Sequence, residues 1–225
     1  DLIQRGDYGY SCEKQYELAL YNFLLPLLED LSINLSNFFI VPGNHEIDLT
    51  KINKIYDEGL NKYLANYSGK LEIDYPKENQ LRERLDGFRK FESEINEGPE
   101  NNKIVNSKVI TVNNQKIGVC LINTSWNLAS DSANDKGKII VGANLLYSEF
   151  QKIKECRYKI CLMHHSLSWL RDEDTYEVES LLSKFDVVLC GHSHYSNDKQ
   201  ITSPNGKTIF CMASQILPLT SNTGY

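Results

Sequence analysis

All five histidines of this 225-residue chain, His45, His164, His165, His192 and His194, stand directly behind short apolar runs, and none lies on a polar helical stretch. Apolar runs of strand length, separated by segments of helical periodicity, restrict the chain to alternating strands and helices. Residues 1–3 open as a strand that closes on Gly6-Asp7. Tyr16, Leu20, Phe23 and Leu24 then recur at helical spacing, and Pro26, which has no amide proton, is expected to end or kink that helix. Residues 37–41 form the next apolar run, closed by Pro42-Gly43. Such alternation implies an α/β fold with parallel elements and with reactive groups on the loops leaving the carboxyl ends of the strands.

Residues 49–97 are polar and charged, with helical periodicity over 52–64 and a stripe at Leu81, Leu85, Phe88 and Phe91; they read as a helical insertion or cap. Strands are predicted over 103–112 and 116–123 around an Asn113-Asn114 turn, then over 157–163 and 185–190, with a last hairpin at Pro204-Asn205-Gly206. Helices are predicted over 144–154 and 175–184, after a polar loop at 130–138. With no repeat or linker, one domain spanning 1–225 is the expectation.

Lys and Arg total 24 against 30 Asp and Glu, a net charge of −6, which excludes the broad basic footprint of a nucleic-acid binder, so an anionic ligand must be held locally. No membrane span or signal peptide is visible. The six cysteines lack zinc-ligand spacing, and several fall in apolar runs, so reduced thiols in a cytoplasm are expected.

The chemistry gathers at strand ends. The Asp7 carboxylate can bridge two cations, and the Asn44 carbonyl of Gly43-Asn44-His45-Glu46 can serve as a neutral ligand. His45 beside it can carry a proton, and Glu46 can orient His45. His192 and His194, two apart, would project to one side of an extended segment, whereas only one of the adjacent His164 and His165 would face a metal. Oxygen and imidazole donors without thiolates suit manganese, iron or zinc. Two such ions about 3.5–4 Å apart clamp a phosphoryl group and ionise the water between them.

Gly-Asp, Gly-Asn-His-Glu, a histidine after an apolar strand and Gly-His-x-His, in that order over nearly the whole chain, resemble the calcineurin-like metallophosphoesterase superfamily. Residues 1–17, 38–42 and Ile122-Asn123-Thr124-Ser125-Trp126 strengthen the likeness, to a bacterial branch often fused to further domains. The resemblance implies a four-layer α-β-β-α sandwich of two mixed sheets, and a dinuclear hydrolase of phosphate esters, phosphodiesters preferred, acting by attack of a metal-bound hydroxide on phosphorus. It implies that Asp7 bridges the ions, that Asn44, His164 and His192 hold the second metal, and that His194 holds the first. His45 would be the acid beside the metals, with His165 contacting substrate or solvent. The family's opening Asp-x-His block is absent and would precede Asp1, so the first strand is expected to be missing and the domain incomplete at both ends. A nucleotide or nucleic acid is the candidate substrate class, with no membrane partner. The competing expectation is a catalytically degenerate domain that binds a nucleotide or partner within a larger protein. Specificity is expected from 49–97 and 130–138, and Trp126 and Trp169 are candidates for stacking or for packing.

Overall fold

A computed structural model describes residues 11–96, 101–129, 135–192, 199–203 and 206–213. Its centre is a mixed six-stranded sheet in the order β1-β2-β3-β4-β6-β5. Strands β1 (Val105–Val112) and β2 (Gln115–Ile122) make the predicted hairpin. Its turn is possible because Asn113 and Asn114 both adopt positive φ, 49° and 64°, where short amide side chains are tolerated. From β2 the sheet continues in parallel through β3 (Tyr158–Met163), β4 (Val187–Cys190) and β6 (Gly206–Met212), with β5 (Lys199–Ser203) antiparallel at the far edge. The register aligns Ile122, Met163, Cys190 and Met212 on one rung, so the parallel strands end level.

Helices α6 (Ala143–Ile153) and α7 (Asp172–Leu182) bury one face of this sheet. Gly118 lets α6 approach β2, because a Cβ there would stand 2.6 Å from Ile153 Cβ. Cys120, Cys161 and Cys190 lie buried in the core, and all six cysteines are free thiols. Burial pushes the Cys190 thiol up to about 12, so it packs as a small hydrophobe and does not ionise. The other face is apolar as well but less covered, with Leu189 40% and Ile209 47% exposed.

In residues 11–30 the helix does not end at Pro26 but loses its regular α geometry just before it. Helix α1 (Cys12–Ala19) passes through a π-helical turn, Leu20–Leu24, directly into α2 (Leu25–Asp30). The wider turn moves hydrogen bonding to the i−5 carbonyl, so Leu25 N–H reaches Leu20 O and the chain accommodates a proline in the next helical turn. Ser11 caps the start through Lys14 N–H. Tyr16, Leu20 and Leu24 form a second core with Phe88, Phe91 and Ile95 of α5 (Asp86–Asn96). Tyr16 stacks on Phe91 at 4.8 Å.

Residues 49–96 are helical, as α3 (Lys54–Ala65), α4 (Asn79–Glu83) and α5. The helical stripe is divided at residues 84–85; Leu81 and Leu85 enter the main core, Phe88 and Phe91 the second. Three polar anchors tie this segment to the sheet layer. Arg84 pairs with Asp57 and donates to Leu128 O. Asn144 exchanges two hydrogen bonds with the backbone of Leu71. Asp174 accepts from the Tyr67 hydroxyl and from Val141 and Gly142 N–H.

The run at 37–41, expected to be a strand, is not one. Phe38 is extended, at φ −97° and ψ 124°, but no ladder is formed from 38–43 among the described residues. Apolar residues supply the propensity, whereas a strand also needs a neighbour to receive its hydrogen bonds. The expected opening strand at 1–3 and the turn at 204–205 lie outside the described residues.

Candidate metal and phosphate site

Because β2, β3 and β4 end on one rung, the residues that follow them leave the sheet together: Asn123 and Thr124, His164 and His165, Gly191 and His192. Gly191 N–H donates to His164 O, holding the last two segments side by side. A Cβ at Gly191 would lie 3.2 Å from His164 Nδ1, so a side chain here would press on that ring. The Gly43-Asn44-His45-Glu46 segment forms a 3₁₀ turn, closed by the buried Glu46 carboxylate, which accepts Gly43 N–H at 2.7 Å. Ser125 Oγ donates to Pro42 O, fastening this turn to the loop beyond β2.

Three donor atoms converge across more than 100 residues of chain. His164 Nε2 is 3.1 Å from Asn44 Oδ1 and 3.2 Å from His192 Nδ1, and His192 Nδ1 is 3.1 Å from Asn44 Oδ1. The amide oxygen donates nothing and each neutral ring nitrogen offers at most one proton, so these three edges cannot all be hydrogen bonds. They do match the spacing of neighbouring ligands around one divalent cation with bonds of about 2.2 Å. The set could hold a divalent cation, and Asn44 is 1% exposed with its Nδ2 lacking a partner among the described residues.

Burial keeps the His164 and His165 rings neutral. His164 is pushed down to about 2 by loss of solvation, reinforced by neighbouring charges that include His165 and His192. His165 is pushed down to about 3, again by burial first and then by His192. A neutral native ring that protonates when unfolded makes stability rise with pH between the native value and about 6.5. Chelator-treated protein should therefore unfold at a lower urea midpoint at pH 5 than at pH 7.5, by about 2 kcal/mol per ring. Equal midpoints would contradict this assignment.

His165 also turns to the site. One ring nitrogen each of His164, His165 and His192 lies within 4.8 Å of the other two, with the His164 and His165 rings perpendicular at 4.7 Å. β3 ends at Met163 and side-chain alternation holds only within a strand, so both rings of the adjacent pair come near His192. The extended geometry assumed for His192 fails: its φ is +63°, in the left-handed region, and that local strain turns its ring toward His164. His45 sits half-buried on the turn with Asn44. Asp7 and His194 lie outside the described residues.

Two further residues belong to this cluster. Thr124, wholly buried, bonds both the ring and the backbone of His165. Its place just after an apolar run, like that of the histidines, was the available signal. Trp169 meets the His192 ring edge-on at 4.2 Å, whereas Trp126 is fully buried, donates to Ile140 O and packs on Tyr75, so only Trp169 flanks the site. Among the described residues no helix is long and apolar enough to cross a membrane.

The uncharacterized metallophosphoesterase-like protein YydB of Bacillus subtilis is 23% identical over 205 residues, covering 88% of this chain and 40% of that protein. The chain thus spans about two-fifths of the length of this curated relative. Among solved structures, GAP50, the anchor in the inner membrane complex of Plasmodium, is similar over 51% of this chain and 40% of its own, at 18% identity and a TM-score of 0.29. The profile of calcineurin-like phosphoesterases matches residues 1–196, and the chain belongs to that family.

Proposed function

We propose that the chain is a metal-dependent hydrolase of phosphate esters, with phosphodiesters preferred. The observation that carries this reading is the mutual approach of Asn44 Oδ1, His164 Nε2 and His192 Nδ1 to 3.1–3.2 Å. In it these three residues would hold one cation, and Asp7 and His194, outside the described residues, would be assigned to the same metal centre. Such ions, when bound, supply positive charge to the phosphoryl group and lower the pKa of water. Asn44 contributes a lone pair without charge, and the neutral rings contribute lone pairs that protonation would remove. His45, half-buried beside Asn44, protonates the leaving oxygen. Trp169 walls the site beside His192 and limits water.

The reading extends to architecture. Residues 1–225 form one domain of a larger protein, with 49–97 as a helical insertion, and a second sheet covers the apolar face that bears Leu189 and Ile209, giving four layers. Six free thiols support a cytoplasmic location. Protein loaded with manganese should hydrolyse bis-(p-nitrophenyl) phosphate. The double variant Asn44→Ala with His192→Ala should lose both bound metal, measured by elemental analysis, and turnover, by about a thousandfold or more. Turnover that survives the double replacement would refute the reading.

A further inference from the structure

The hydrogen bonds of Thr124 decide which nitrogen of His165 carries the proton. Thr124 Oγ1 accepts the backbone N–H of His165 at 3.2 Å and lies 2.8 Å from His165 Nδ1. A hydroxyl has one proton to give, and in this wholly buried environment the Nδ1 lone pair is the acceptor within reach. Nδ1 therefore accepts, and a neutral imidazole in that state bears its hydrogen on Nε2. Nε2 is buried and lacks a hydrogen-bond partner among the described residues. Its ring packs 4.5 Å from that of His192, beside the converging donors. A buried N–H without an acceptor is unfavourable, and that cost is removed when an oxygen arrives.

We propose that His165 is a fixed hydrogen-bond donor to a non-bridging phosphoryl oxygen of the substrate and not a metal ligand, with Thr124 as the positioning residue that sets its tautomer. The identification of the acceptor rests on the phosphoesterase reading; the tautomer does not. A ligating histidine would need the opposite arrangement, a bare Nε2 with Nδ1–H donating to Thr124. That arrangement would leave the Thr124 hydroxyl accepting twice and its own proton without an acceptor. His165 transfers no proton here: it stays neutral, and the oxygen it meets gains charge as the ester bond breaks.

The test begins with ¹⁵N NMR of the histidine rings in the metal-free chain. His165 should show an unprotonated Nδ1 and a protonated Nε2, Thr124→Val should give a mixture of tautomers, and Thr124→Ser should restore the single form. In the manganese-loaded chain, His165→Ala should bind the same number of metal ions as the wild type. It should also bind inorganic phosphate about tenfold or more weakly and lower kcat by about 10²–10³. His165→Gln, which places an amide N–H near the Nε2 position, should recover most of that loss. A proton on Nδ1, or one fewer metal ion in His165→Ala, would overturn the proposal. If the wild type turns over no phosphate ester, the phosphoesterase reading falls while the proposal is still decided: unchanged phosphate affinity in His165→Ala overturns it, weakened affinity sustains it.

Discussion

Arg84→Ala should destabilise the protein by about 3–5 kcal/mol, the cost of leaving a buried carboxylate without its counter-ion. The Arg84 side chain is wholly buried, with its guanidinium 2.7 Å from Asp57 Oδ1 and 2.9 Å from Leu128 O. Asp57 Oδ2 has no partner among the described residues, so Arg84 is the group that compensates the charge. Alanine would also open a void between α4, α5 and the loop after β2. Because a buried pair is costly to break but often dispensable as a pair, Arg84→Met combined with Asp57→Leu should lie much closer to the wild type than either single change. Urea denaturation checks both, and a loss below about 1 kcal/mol for Arg84→Ala would show that the pair is solvated in solution.

Asp174→Ala should be of comparable severity, about 3–5 kcal/mol, because three donors lose one acceptor at once. Its carboxylate, wholly buried in the first turn of α7, takes the Tyr67 hydroxyl, Val141 N–H at 2.6 Å and Gly142 N–H at 3.1 Å. Burial and this contact push the Tyr67 hydroxyl far above its ordinary value, so it remains a donor at all accessible pH. Asp174→Asn keeps one oxygen for the two amides and should cost less than half as much. Thermal unfolding separates the three proteins, and equal losses for Asn and Ala would mean that charge, not acceptor count, matters at this position.

Much of the fold could be read from periodicity. The hairpin at Asn113-Asn114, helix α6 and strands β3 and β4 appear within a few residues of their expected bounds, since each combines a clean period with a clear terminator. The π turn before Pro26 was not legible, because what a proline does depends on whether neighbouring turns can widen, and that is set by packing against Phe88 and Phe91. At the site, the strand-end positions of Asn44, His164 and His192 were legible as polar residues behind apolar runs, and the family resemblance singled out His164 over its neighbour. The turning of His165 and the left-handed backbone of His192 were not, since both arise where the strand ends and alternation ceases. Thr124 escaped notice for a chemical reason: a hydroxyl neither binds metal strongly nor titrates, and its importance lies in a proton it assigns to another ring.

The level ending of β2, β3 and β4 carries an evolutionary consequence. The residues that β2, β3 and β4 bring to the cluster are each one or two steps past a common rung, so their positions are counted from the hydrogen-bonded ladder and not from the connections between strands. Insertions and deletions can accumulate in those connections, changing what the protein recognises, while a single residue gained or lost inside any of the three strands would throw its histidine or threonine out of step with the rest. A lineage built on this frame can diversify in length between those strands while β2, β3, β4 and the turn that bears Asn44 keep their spacing.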